Sequence, residues 1–293
     1  MKQTAYLYAM IAVLLWSTVA TAFKLALNVI TPLALLFWSV LISAGCLWLI
    51  LWLSGRRSQI LPTVRRHGSI ILLLGLINPT IYYLVLFAAY DRLPAQVAQP
   101  INYTWAIVLA WLAVPVLKQS LTRTDILATA LGYFGVVVIA SQGEWPWEAD
   151  SDIVGVLLAI ASTFIWAGYW LINTKVRGDA IVFMALSFSV ALPMLAMAAW
   201  LAEPSTFNVS GMPWLSVAWV GLFEMGITFV LWQMALTRAE NVSRVGNLIF
   251  ISPFVSLMFI NYFLGESLHA TTFVGLLLIL TAVISQQRQK EPV

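Results

Sequence analysis

Ten apolar stretches follow one another with no connection long enough to hold a soluble domain. They cover residues 5–27, 32–53, 68–90, 95–117, 125–141, 153–174, 180–201, 213–237, 242–264 and 270–286. A helix needs about 20 apolar residues to cross a bilayer, and the fifth and tenth stretches lie near the lower limit. The expected fold is an all-α membrane protein with ten transmembrane helices. Composition agrees: 61% of residues are hydrophobic and 9% are charged, where a soluble domain carries about 25% charged residues. The first stretch is of spanning length and more spans follow it, so it reads as a span rather than a cleavable leader.

Charge orients these spans. With the N-terminus in the cytoplasm, Lys2, Arg56, Arg57, Arg65, Arg66, Lys118, Arg123, Lys175, Arg177, Arg238, Arg244, Arg288 and Lys290 fall inside, and only Lys24 and Arg92 outside. The longest outer loop holds Glu144, Glu148, Asp150 and Asp152 without a base. This is the positive-inside pattern, and it places both termini in the cytoplasm. The net charge of +3 is scattered over loops and gives no nucleic-acid face. Cys46 is the single cysteine, which excludes an intrachain disulfide and a cysteine-based metal site. His67 and His269 are far apart near helix ends, so no metal and no cofactor are expected.

The chain repeats itself. Leu15-Trp16-Ser17-Thr18, ending near Lys24, echoes Ile165-Trp166-Ala167-Gly168, ending near Lys175. Lys118-Gln119-Ser120-Leu121 echoes Gly265-Glu266-Ser267-Leu268, which lays the Trp105 region on Ile251-Ser252-Pro253. Each half then holds five spans, over residues 1–142 and 151–288. Five is odd, so the second half is inverted relative to the first. Inverted repeats with a site at their midplane interface are a transporter signature.

These features resemble the drug/metabolite transporter superfamily of the EamA type: two five-helix halves, the Leu-Trp-Ser-Thr opening, the Trp166 and Lys175 echo, and Gly-Glu-Ser-Leu before the last helix. The resemblance covers essentially the whole chain. Within the superfamily, Asn102-Tyr103-Thr104-Trp105 resembles the Asn-Tyr-x-Trp-Pro segment of YddG-type aromatic amino acid exporters. Ala106 stands where those exporters have proline, and Pro100 is expected to break the helix one to two turns earlier. The resemblance implies a multi-pass protein of the inner (plasma) membrane, and export rather than uptake rests on it alone.

Polar and aromatic residues near mid-span mark the candidate site. Gln99-Pro100-Ile101-Asn102-Tyr103-Thr104-Trp105 combines a proline, two carboxamides, a hydroxyl, a phenol and an indole inside a span. Such groups at that depth are tolerated where they face other helices or water. Trp16, Asn78, Tyr82, Tyr83, Asn102, Tyr103, Trp105, Trp166 and Glu224 are the candidate substrate-binding residues. Trp and Tyr ordinarily favour the interfaces; Trp48, Trp145, Trp147 and Trp214 fit that belt and carry no function. Each candidate also has a structural reading. Trp16 and Trp166 can be helix–helix packing. Asn78 and Asn102 can be interhelical hydrogen bonds worth about 0.6–2 kcal/mol. Tyr82 and Tyr83 point about 100° apart on a regular helix, and Tyr103 and Trp105 about 200°, so neither pair faces one cavity together unless the helix is distorted.

Glu224 is the sharpest single residue. A charged acid at mid-membrane costs at least about 2.5–3.5 kcal/mol, and such residues are functional by default. It can bind an ammonium, carry a coupling proton or pair with a buried partner. The expected function is a secondary transporter of a small, amino-acid-like metabolite with an aromatic or apolar side chain, working as a monomer in lipid by alternating access. Rings meet aromatics, an ammonium can lie over a ring face, and amides can hold a carboxylate. No Walker motif is present, so ATP is not the direct driver. Another cargo, such as a drug, a nucleoside or a nucleotide sugar, is the first alternative; a phosphorylated one would want buried Lys or Arg clusters. An intramembrane enzyme is the remote alternative, and Glu224 has no evident catalytic partner for it.

Overall fold

A computed structural model describes residues 2–117, 122–143, 152–174, 176, 178–239 and 245–290. Lys118, Gln119, Ser120, Leu121, Glu144, Trp145, Trp147, Glu148, Asp150, Lys175, Arg177 and Arg244 lie outside the described residues. The described residues are helical, with no strand among them. Thirteen α-helices are described: α1 Lys2–Leu27, α2 Pro32–Leu53, α3 Ile60–Gly75, α4 Tyr82–Arg92, α5 Ala95–Tyr103, α6 Trp105–Leu117, α7 Arg123–Ala140, α8 Ile153–Thr174, α9 Ala180–Ala202, α10 Trp214–Trp219, α11 Ile227–Arg238, α12 Ser252–Phe259 and α13 Ala270–Lys290. Several continue one another. Eight helical runs are long and apolar enough to cross a membrane, and two shorter ones, Leu248–Leu264 and Ala270–Ser285, are apolar as well. The fifth run, Arg123–Ala140, has 18 residues, near the lower limit for a span as the sequence pattern suggests. The third begins earlier, at Arg56, but His67 has non-helical torsions (φ −131°, ψ 23°). That kink divides a polar entry from the apolar run expected from residue 68.

The chain divides into two compact units, Met1–Phe87 with Arg177–Leu264, and Ala88–Val176 with Gly265–Val293. Each takes helices from both halves of the sequence. In the first unit α1 lies against α11 and α12, and α2 and α3 lie against α9. Small residues make these approaches. Ala5, Ala9 and Ala12 line the buried side of α1, while Leu7, Ile11 and Leu14 are exposed. Apolar side chains turned outward and small ones inward suit lipid, where backbones associate by close packing rather than by hiding oil from water. Two glycines here lie close against the backbone of a neighbouring helix. A Cβ on Gly75 would lie 2.5 Å from the Ser187 carbonyl, and one on Gly221 would lie 2.7 Å from the Ser39 carbonyl. The two contacts are alike, one pairing the third run with α9, the other the eighth with α2.

Two helices of this unit start on side-chain caps. Thr31 accepts from the Ala34 amide ahead of Pro32, where a proline loses no intrahelical bond. Asp179 accepts from Ile181 and Val182 at the start of α9 and also pairs with Arg56 at 3.1 Å.

In the second unit α7 and α13 form the most extensive pair. Gly135 and Gly275 face each other there, each lying where a Cβ would strike the other's carbonyl, at 2.7 and 2.5 Å. α5 and α6 both lie along α8. Thr122 and Asp125 close a capping box on α7. Arg92 pairs with Asp152 at 2.7 Å beside the start of α8. The Gly155 amide, together with the Arg92 guanidinium, holds the Asp152 carboxyl below the usual carboxylate range.

Candidate functional site

Of the nine candidate residues, Trp16, Asn78, Tyr82, Tyr83 and Glu224 lie in the first unit, and Asn102, Tyr103, Trp105 and Trp166 in the second. In the first unit the deciding feature is a break in the eighth run. α10 passes into a π-helical turn, Val220–Glu224, in which the Met225 amide reaches back to the Val220 carbonyl at 3.2 Å. Gly226 then leaves helical geometry altogether (φ −118°, ψ −101°) before α11 resumes. A helix broken inside a membrane frees backbone groups that other helices must satisfy. Here the Ser43 hydroxyl donates to the Met225 carbonyl at 2.9 Å, and the Trp16 indole N–H donates to the Glu224 carbonyl at 3.5 Å. The break is therefore held from α2 and α1.

Glu224 sits at this break, near the middle of the span Trp214–Arg238. Its carboxylate Oε1 accepts from the Tyr83 phenol at 3.0 Å. Tyr83 is fully buried, and its ring lies 4.7 Å from that of Tyr82 and 5.5 Å from that of Phe87. Both tyrosines are buried, and Tyr83 is the one that reaches the acid. Trp16 is flanked edge-on by Phe229 and Trp232, both at 5.4 Å. Trp219 donates to the Thr18 hydroxyl at 2.7 Å and lies 4.6 Å from Phe223. Glu224 thus meets Tyr83 through its carboxylate and Trp16 through its backbone carbonyl, and each of these rings packs on further aromatics.

Asn78 marks a second break. It is buried with extended torsions (φ −137°, ψ 116°) between α3 and α4, inside the π-helical stretch Leu76–Ile81. The Thr80 hydroxyl caps the Gly75 carbonyl at 2.8 Å, and the Asn78 side-chain oxygen finds no partner among the described residues. A close-contact glycine marks the start of each break: Gly75 precedes Leu76–Ile81, and Gly221 is the second residue of Val220–Glu224.

In the second unit the helix runs through Pro100 and is interrupted at Thr104 instead, where the amide and the hydroxyl both donate to the Ile101 carbonyl, at 3.0 and 2.8 Å. Pro100 stands only six residues into α5, so its missing N–H deprives a first-turn carbonyl alone. The tightened turn at Thr104 falls between Tyr103 and Trp105, so the 200° offset of a regular helix does not apply to them. Both are half-buried. Asn102 donates to the Ser162 hydroxyl at 2.9 Å, a contact between α5 and α8. One turn further along α8, Trp166 stacks on Tyr169 (5.4 Å, 20°) and meets Trp170 edge-on (5.9 Å, 90°).

Several contributors were not singled out from the sequence. Ser43, Phe229, Trp232, Tyr169 and Trp170 are among them; Trp170 was accessible, four residues after Trp166 on the same helix face. Glu266 is another. Its two oxygens accept from the Ala95 and Gln96 amides at 2.8 and 3.1 Å, capping α5. Gln96 in turn donates to the Ser267 carbonyl at 2.8 Å and accepts from the Thr272 hydroxyl at 3.0 Å. Gly-Glu-Ser-Leu is thus a clasp between the loop before α13 and the start of α5.

The EamA-like transporter family is matched twice, over residues 3–141 and 153–285. The chain belongs to the EamA-like transporter family. An uncharacterized transporter of Archaeoglobus fulgidus is 25% identical over 97% of this chain and 97% of its own length. The uncharacterized transporter YvbV of Bacillus subtilis is 25% identical over 96% and 90%. The aromatic amino acid exporter YddG of Ancylobacter novellus is 25% identical over 60% of this chain and 61% of its own length. A crystal structure with 19% identity shares the fold, with a TM-score of 0.65 over 99% of this chain and 100% of that one. This EamA-family chain is a multi-pass membrane transporter, and the bacterial relatives imply the inner membrane.

Proposed function

We propose that this EamA-family transporter exports small metabolites, amino acids with aromatic or apolar side chains, by alternating access. The observation that carries the reading is Glu224: a carboxylate at a helix break, within a span, hydrogen-bonded to a buried phenol, with the Trp16 indole on its backbone carbonyl. Such a group suits a solute with a cationic head and an apolar body. The second unit, taken by itself, holds a separate row of rings, Trp166–Tyr169–Trp170, and the neutral Asn102–Ser162 pair.

We read the ten runs as ten spans in two inverted repeats, with both termini cytoplasmic. The like glycine contacts of the third and eighth runs, the paired Gly135 and Gly275, and the two matched family segments support this reading. Energy comes from a solute or ion gradient, and the chemistry is binding and reorientation with no covalent step. The test is accumulation in inverted membrane vesicles containing the protein, set against vesicles lacking it, for a panel of labelled amino acids and drugs. Uptake of aromatic or aliphatic amino acids above the control is expected; uptake confined to drugs or nucleosides would refute the amino-acid reading.

A further inference from the structure

The residues around Glu224 also bear on which part of the cargo is recognised. The break offers an acceptor and little else: the Met225 and Glu224 carbonyls are already taken by Ser43 and Trp16, and Tyr83 donates to one carboxylate oxygen. Glu224 forms no ion pair among the described residues, and Arg56–Asp179 and Arg92–Asp152 lie at helix ends. Among the described residues, the bases that follow it along its own run and that follow Trp16 along α1 are several turns away. Arg238 lies fourteen residues on, about 21 Å along a helix, over the Tyr8 ring. Lys24 lies eight residues beyond Trp16, about 12 Å along α1, and already has a partner.

We propose that the cargo is selected as a primary organic amine on a ring-bearing or aliphatic body, with the ammonium bound at Glu224 and no carboxylate required. An ammonium brings to this site both the missing counter-charge and N–H donors, and the neighbouring rings accept its cationic surface. A carboxylate on the same molecule finds no cation paired with the acid among the described residues of this unit, and like charge repels it. Amines lacking a carboxylate therefore bind at least as well as the matching amino acids, which extends the activity to biogenic-type amines. This rests on Glu224 being the cargo-binding acid, as in the reading above.

The test is calorimetric titration of the full-length protein in lipid nanodiscs with phenylalanine, phenethylamine, N-acetylphenylalanine and 3-phenylpropionate. Phenethylamine is expected to bind as tightly as phenylalanine or tighter, and the two compounds without an ammonium about tenfold or more weaker. Glu224→Gln should remove the preference. Tyr83→Phe, which keeps the acid, should retain it, and serves if the first variant does not fold. Equal binding of 3-phenylpropionate and phenylalanine, or phenethylamine binding tenfold weaker than phenylalanine, overturns the proposal while leaving the amino-acid reading intact. Binding of phenethylamine without phenylalanine supports the proposal and removes that reading. Silence from all four overturns both.

Discussion

Gly221→Ala probes the contact on which the Glu224 break is built. The new Cβ would lie 2.7 Å from the Ser39 carbonyl oxygen, 2.9 Å from Ile42 Cβ and 3.0 Å from Ile42 Cγ2. None of these atoms ends a flexible side chain: one is backbone, and the others belong to a β-branched residue with a stiff χ1. The helices must therefore separate by several tenths of an ångström, and overpacking of this kind costs about 1–3 kcal/mol. Alanine also gains up to about 1 kcal/mol of helix propensity over glycine, so a control must carry the same gain. Gly45→Ala serves, because a Cβ there meets nothing within 4 Å. The two variants should differ by the packing cost alone, about 5- to 150-fold in the folded-to-unfolded ratio. The assay is thermal unfolding of both proteins in one detergent, followed by substrate titration of each. Gly221→Ala should melt several degrees below Gly45→Ala, and should bind substrate more weakly because Ser43, one turn from Ser39, supports Met225. Coincident melting curves and equal affinities would refute the close-approach account of the eighth run.

Three further outcomes follow from the same contacts. Ser43→Ala leaves the Met225 carbonyl without its donor and should destabilise the protein by about 1–3 kcal/mol, seen as a lower melting temperature, with Ser43→Thr restoring part of it. Glu266→Gln disturbs the cap on α5 and should raise amide hydrogen exchange over residues 95–99 while sparing α1; unchanged exchange there would deny the clasp. In a Cys46→Ser background, a membrane-impermeant thiol reagent applied to intact cells should label Ser210→Cys and not Arg57→Cys, and equal labelling of the two would refute the assigned topology.

The sequence made the apolar runs legible because bilayer thickness imposes one length on every span, and the entry at residue 68 was readable for the same reason: His67 ends the polar approach. Glu224 stood out because an acid inside such a run is costly whatever surrounds it. The break beside it did not. Gly226 reads as one more small residue in an apolar helix, and the break persists because Ser43 and Trp16, from other runs, satisfy the freed carbonyls. The same holds at Thr104, where local hydrogen bonds to Ile101 rather than the more conspicuous Pro100 interrupt the helix. Glu266 was visible as a motif, but its use as a cap depends on Gly265, at φ +67°, turning the loop toward α5. Nor was the grouping of helices into two units visible, since each unit joins helices far apart in the chain.

The central claim is that the Glu224 carboxylate, held at the break by Tyr83, binds the cargo. Its most direct test is the equilibrium affinity of purified Glu224→Gln for the best-transported amino acid, read beside its melting temperature. Glutamine keeps the size of the side chain and can still accept from Tyr83, so the fold should survive and melting should stay within a few degrees of the parent. A charge-assisted hydrogen bond is worth about 1.5–3 kcal/mol, so affinity should fall about 10- to 150-fold. A folded Glu224→Gln protein that binds its cargo as tightly as the parent would contradict the account.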